Sequence, residues 1–331
     1  MSSVSRVERP RLQLFYFEPS GDRWVRFDRY PRKLVRWILP RDRLTGHRQL
    51  IRQLRLGLER AGIGCRFNSY RHADRHSDEP IGVLGKTALL DHWHPRNPAV
   101  FGPCMLDHPK DSPDLLEKYN GKYYLVPSAW VRDMFARYFG DRVMVWRIGI
   151  DLDVWRDFAA EDKSIDFLIY EKFLWNRAEN LRHILEPIRE WIHARNLTTS
   201  VLHCGSYTHD EYRNLLRRCR RMIFLCEHET QGQAYQQALA CNVPVLAWDQ
   251  GFWLDPKAER YEQDRVPASS VPYFSRACGV TFRDIEEFPR KMAEFLEADF
   301  APRSFVDAHL DLVNSARQYY EIVRRAGGHG G

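Results

Sequence analysis

The stretch from Ile223 to Asp249, IFLCEHETQGQAYQQALACNVPVLAWD, constrains the fold more than any other part of the chain. It reads as a buried strand, a loop containing Gly232, a helix, a turn through Asn242 and Pro244, and a second buried strand. That order predicts an open, parallel α/β sheet. The loop then falls at the carboxyl end of a strand, where such sheets bind ligands. A helix opening just after Gly232 aims its unpaired N–H groups and the positive end of its dipole at the same place, so an anion is the natural occupant.

Two further segments stand upstream in a matching order. Val143 to Trp155 is a short apolar run followed by Gly149, Asp151 and Asp153, and Ile165 to Tyr170 is a run of strand length followed by Lys172 and Arg177, two basic residues five apart. Together the three segments resemble the signature of GT-B nucleotide-sugar glycosyltransferases, in particular the retaining glycosyltransferase family 4. In that family a Glu is followed by a Gly three residues on and by a second Glu eight residues on, as Glu229 and Gly232 are placed here; the eighth position is Gln237. Asn242 replaces the family's turn glycine, a swap between residues that both tolerate left-handed backbone.

The resemblance implies an α/β chain of the GT-B kind, with two Rossmann-like domains facing each other across a cleft. It implies that Lys172 and Arg177 hold the donor diphosphate, Glu229 orients the donor sugar, and Gly232 with Gln231, Gln233 and Gln237 lines the nucleotide site. Ser206 and Tyr207, after a strand candidate at Val201, would lie beside the base; Gly46 would stand for the family's first glycine loop; and His108, after the run ending at Leu106, would contact the donor sugar. No cofactor beyond the nucleotide-sugar donor and no metal is implied. Asp151 and Asp153 sit in the matched linker and lack the convergent oxygens a divalent ion needs. His92 and His94 form a His-x-His pair without a third ligand at fixed spacing.

With 331 residues, 44% of them hydrophobic, and no apolar run of 18 or more, the chain is long enough for two domains and predicts no membrane span. The expected division is an acceptor-side domain over residues 1–150, a donor domain over 151–315, a helix over 316–326 crossing back to the first domain, and a disordered tail over 327–331. Leu50, Leu54 and Leu58 recur at i and i+4 in a helix opening at Gly46; Ser128 caps a helix running to Tyr138; helices are also expected over Asp210 to Arg221, Ile285 to Leu296 and Phe305 to Arg325. The start MSSVSRVERPRLQ lacks the apolar centre of a secretory leader, and seven scattered cysteines without metal-ligand spacing point to a reducing, cytoplasmic setting.

Charge is divided unevenly. Residues 1–150 hold 27 Lys and Arg against 16 Asp and Glu, and residues 151–331 hold 23 against 28. The excess concentrates between Arg23 and Arg48, where nine basic residues are interleaved with Trp24, Phe27, Tyr30 and Trp37. Three readings stay open for it: a loop whose aromatics pack inward, peripheral contact with an anionic membrane or acceptor, and nucleic-acid binding, the last disfavoured because no nucleic-acid motif accompanies it. The function expected is transfer of a sugar from a nucleotide-sugar donor to a glycan, lipid-linked or other acceptor in polysaccharide or glycoconjugate synthesis, without metal and with retention. The alternatives are a nucleotide-sugar-binding protein that does not transfer, prompted by Gln237, and a basic membrane- or polyanion-binding adaptor.

Overall fold

The structure, a computed structural model, describes residues 11–17 and 46–328. The basic stretch from Arg23 through residue 45 therefore lies outside the described residues, as do residues 329–331 of the tail. The first half contributes β1 (Arg11–Phe17), α1 (Gly46–Arg60), β2 (Gly64–Phe67), β3 (Ile81–Gly85), β4 (Ala99–Phe101), β5 (Gly121–Val126), α2 (Ala129–Phe139) and β6 (Val143–Val145). All six strands pair in parallel, in the order β2-β1-β3-β4-β5-β6. The second half contributes β7 (Ile165–Lys172), β8 (Thr199–His203), α3 (His209–Arg218), β9 (Cys219–Cys226), α4 (Gln233–Ala240), β10 (Val245–Trp248), β11 (Gly279–Phe282) and α5 (Leu312–Ala326). Its five strands are also parallel, in the order β11-β10-β9-β7-β8.

Strands covered on both faces read as continuous apolar runs, and β3, β10 and the Met222–Cys226 part of β9 do so because each sheet carries a core on either side. Leu50, Leu54 and Leu58 of α1 are all buried, in the cluster that also takes Tyr319, Ile322 and Val323 of α5. The last helix thus completes the core of the first sheet, each such buried side chain contributing about 1.5–3 kcal/mol. A loop of the second half does the same on the other face, where Trp253, Val266 and Ala268 join Phe101, Phe135 and Val131.

Several boundaries depart from the sequence pattern. The helix expected to reach Arg221 ends at Arg218, because Cys219 and Arg221 pair with Ile165 and Phe167 in the sheet. The run from Phe305 to Arg325 is two helices rather than one. The first, Pro302–His309, stops where the Leu310 carbonyl accepts the Ile150 N–H, and Asp311 restarts the chain by accepting the Asn314 N–H at 2.7 Å. β11, only four residues long, and the helical run from Arg177 to His193, which contains Pro187, carry too little periodic signal to be seen in advance. Among the described residues no helix is long and apolar enough to cross a membrane.

Where α5 crosses α1, Gly57 has no room for a side chain. A Cβ there would stand 2.7 Å from the Leu312 carbonyl oxygen and 2.8 Å from the Ala316 Cβ. Gly→Ala in a free helix gains up to about 1 kcal/mol, whereas overpacking a fixed contact costs about 1–3 kcal/mol. Gly57→Ala is therefore expected to lower the unfolding free energy by a net ~1–2 kcal/mol, read as a lower denaturant midpoint; a raised midpoint would show that α5 does not press on α1 this closely.

Candidate functional site between the two sheets

The second sheet reverses its winding between β7 and β9, so the loops leaving those two strands diverge and open a crevice at their carboxyl ends. A cavity of about 400 Å3 lies there. Both sheets wall it: Gln49 and Cys104 come from the first half, Lys172, Tyr207, Glu229 and Gln237 from the second.

Lys172 is the last residue of β7, and strand alternation sends it and Glu171 to opposite sides. Lys172 turns into the cavity, where its Nζ donates to Glu229 Oε1 at 2.6 Å. Burial disfavours the ammonium, but the Glu229 carboxylate outweighs it and holds the pKa above the ordinary lysine value, so the group stays charged at any working pH. Glu171 points the other way and is 1% exposed. Its Oε2 accepts from Arg177 at 2.8 Å and lies 2.6 Å from His203 Nδ1, while Oε1 accepts the Phe173 N–H at 3.0 Å. Burial alone would raise this carboxyl; the three partners outweigh it and hold it below the ordinary value.

The two basic residues expected to act together are therefore separated. Lys172 lines the cavity, whereas Arg177 does not, because its guanidinium is spent on Glu171. A third carboxylate, Glu227, is 1% exposed and accepts the N–H groups of Leu174 and Trp175, which fixes the loop after β7. Burial raises its carboxyl, against the pull of those amides. The EHE triplet carries this signal in the sequence, since two carboxylates flanking one residue at a strand end need separate partners.

Gly232 opens α4 with φ +80°, and a Cβ there would fall 2.1 Å from the Tyr235 ring. Glycine is required on both counts. Gly232, Gln233 and Ala234 line the cavity, so the unpaired amides of the first turn border it. Asn242 stands at φ +61°, the left-handed position that the family's glycine would take.

The remaining sequence-derived candidates divide. Gln237 lines the cavity, and its side chain has no hydrogen-bond partner among the described residues. Tyr207 lines it too, its hydroxyl 2.7 Å from that of Tyr170, with burial pushing its pKa up to about 12. Gln231 borders the cavity, but its amide is committed to the backbone of Ile148, accepting the N–H at 3.1 Å and donating to the carbonyl at 2.8 Å. Gln233 bridges to Gln53 of α1 at 2.9 Å and leaves its own Oε1 buried without a partner. Ser206 is exposed and off the cavity, donating to the His203 carbonyl. Gly46 is the first residue of α1; the next turn, Gln49 and Leu50, reaches the cavity in its place.

His108, expected beside the donor sugar, lies elsewhere. It is fully buried, with Nε2 3.0 Å from Glu262 and Nδ1 accepting the Lys110 N–H, and it stacks on Tyr261 at 4.4 Å. With both ring nitrogens occupied it is a packing residue that ties the loop before Glu262 to the first half. His94 faces the Asp74 carboxylate at 3.3 Å. Asp151 and Asp153 share the guanidinium of Arg60, at 2.8 and 3.0 Å, which welds the linker to α1.

Sequence reasoning passed over His228. Its ring is stacked on Trp175 at 5.1 Å and met edge-on by Trp130 and Trp253. Burial, with the Lys172 charge adding to it, pushes its pKa down to about 4, so it is neutral in the folded protein. The unfolded chain takes up this proton near pH 6.5, the folded one only near 4; stability should therefore fall as pH drops through that window, by something on the order of 3 kcal/mol. His228→Phe is expected to remove that part of the slope, read as the difference between the two proteins' pH-dependent unfolding free energies. Parallel curves would contradict a buried neutral imidazole.

No family model matches the chain, and a search of curated proteins finds no significant match. Solved structures do match. Sucrose-phosphate synthase from Thermosynechococcus elongatus superposes with a TM-score of 0.57 at 10% identity, covering 97% of this chain and 100% of that one. The chain has the GT-B fold. The catalytic domain of starch synthase IV from Arabidopsis thaliana, bound to ADP and acarbose, is similar at a TM-score of 0.55 and 9% identity, covering 97% of this chain and 100% of that one. The chain spans 55% of the structure of TarM, with a TM-score of 0.49 at 10% identity over 74% of this chain. In the GT-B fold the crevice described above is the cleft between its two halves.

Proposed function

We propose that this GT-B chain is a glycosyltransferase that moves a sugar from a nucleoside-diphosphate donor to an acceptor hydroxyl. One observation carries the reading: Lys172, Glu229 and the amino end of α4 meet in a single cavity at the point where the second sheet reverses. A cation and a set of unpaired amides suit a diphosphate, and both oppose the charge that grows on it as it leaves. A carboxylate 2.6 Å from the ammonium is placed to accept sugar hydroxyls beside that phosphate. Gln237 supplies an amide for the ribose and Tyr207 a ring for the base. The Arabidopsis neighbour is described as bound to ADP, a ligand of the same class. Retention and independence from metal belong to this proposal, as do the assignment of the first half to the acceptor and a cytoplasmic setting.

The test is release of nucleoside diphosphate from a panel of uridine, adenosine and guanosine diphosphate sugars, followed by mass spectrometry with and without excess chelator. Release from at least one donor, unchanged by chelator, is expected. Binding without release from any donor would leave a nucleotide-sugar-binding protein, and activity restored by a divalent ion after chelation would overturn the metal-free mechanism.

A further inference from the structure

Another cavity, of about 550 Å3, lies at the other end of the first sheet. Arg11 and Gln13 begin β1 and Pro80 comes just before β3, so this cavity sits at the amino ends of the strands, whereas Cys104 and Pro127, which line the cleft cavity, follow β4 and β5. His72, His76 and Glu79 stand on its wall. The two histidines are about one helical turn apart, His72 in the short helix Tyr70–Arg75 and His76 directly after it, and their rings stack at 4.2 Å. One ligand atom from each of the three residues comes within 4.8 Å of the other two.

The cluster is braced from behind. Gln13, 3% exposed, donates from Nε2 to Glu79 Oε2 at 2.7 Å, and the buried Asn97 donates to the carbonyls of His76 and Glu79 at 2.7 and 2.8 Å. Outer partners of this kind orient metal ligands. His72 is meanwhile caught between incompatible neighbours: its Nε2 lies 2.8 Å from Arg66 Nη1 and 3.1 Å from Glu79 Oε2. A guanidinium only donates and an ionised carboxylate only accepts. With a proton on Nε2, the Arg66 contact sets donor against donor; without one, the Glu79 contact sets acceptor against acceptor. A divalent cation in the place of the guanidinium satisfies both, because it takes lone pairs from imidazole and carboxylate alike.

We infer that His72, His76 and Glu79 form a zinc site that fastens the helix Tyr70–Arg75 to the turn before β3, apart from the sugar-transfer site in the cleft. Two imidazoles and one carboxylate suit zinc, whereas calcium and magnesium take oxygen ligands. At zinc–ligand distances of about 2.0–2.2 Å, two ligand atoms stand at most about 4.4 Å apart, so side-chain shifts of roughly half an ångström close the site. Water takes the fourth position. Arg66 must swing aside for the ion to enter, and its half-buried side chain borders a cavity roomy enough to receive it. The site owes nothing to the transferase reading and stands or falls by itself.

The test is calorimetric titration of zinc into the chelator-stripped full chain, beside His76→Ala, Glu79→Gln and Arg66→Ala. Loss of an outer partner of a metal ligand already costs about 10–100-fold in affinity, so loss of His76 or Glu79 itself should weaken zinc binding at least about tenfold. Arg66→Ala should bind zinc more tightly than the wild type, because the competing guanidinium is gone. That gain separates a built site from chance binding to surface histidines. Cobalt(II) in place of zinc should give a spectrum without thiolate charge-transfer bands, which excludes the cysteines as ligands. His76 is exposed and Glu79 half-buried, so both variants are expected to fold, as circular dichroism checks; if one does not, the other and Arg66→Ala decide. No zinc binding by the wild type, affinity unchanged in His76→Ala and Glu79→Gln, binding no tighter in Arg66→Ala, or thiolate bands in the cobalt spectrum would each overturn the inference.

Discussion

Lys172→Met is expected to lower turnover by about 10²–10³-fold, the usual cost of removing one preorganised charge from the atoms that gain charge in the transition state. The substitution keeps the length of the side chain and removes the ammonium. Because Lys172 closes β7 and faces the cavity, it is the cation best placed for a departing diphosphate; Arg177 cannot substitute, being bound to Glu171. A rival account makes Lys172 no more than a structural partner of Glu229. On that account the variant would lose stability, since breaking a largely buried pair costs about 3–5 kcal/mol, but would bind nucleoside diphosphates as the wild type does. Measuring affinity beside turnover and unfolding separates the two.

Glu229→Gln is expected to reduce turnover by about 10²-fold while nucleoside-diphosphate affinity stays level or rises. Glu229 holds Lys172 at 2.6 Å, so it competes with phosphate for the same ammonium. Neutralising it frees the cation, and charge-assisted contacts to phosphate strengthen. The intact donor loses a charged acceptor for its sugar hydroxyls at the same time. Opposite effects on affinity and turnover are thus the mark of this site, and a parallel fall in both would place Glu229 on the nucleotide rather than on the sugar.

Much of the fold is legible in the sequence because its strands are covered on both faces and so appear as unbroken apolar runs. The cavity-lining positions of Lys172, Glu229, Gly232 and Gln237 are legible as well, since each is fixed by a strand end or by the first turns of the helix that follows. What sequence spacing cannot show is how side chains choose partners. The basic pair five apart does not reveal that Glu171, one residue before Lys172, faces away and captures Arg177. Gln231 sits in the motif yet is claimed by the backbone of Ile148, a residue distant in sequence. His108 ends up against Glu262 and Tyr261 through packing of a loop from the other half, and His228 lies among Trp175 and Trp253 of its own half and Trp130 of α2, contacts that local pattern does not encode.

The central claim is that the crevice between β7 and β9 binds a nucleoside diphosphate through Lys172. Calorimetric titration of uridine, adenosine and guanosine diphosphates into the wild type and Lys172→Met tests it most directly. One of them should bind the wild type with one-to-one stoichiometry and bind the variant at least about tenfold more weakly, as expected for loss of a charge-assisted contact worth about 1.5–3 kcal/mol. Absence of binding to the wild type by all three, or equal affinity for both proteins, would contradict the account.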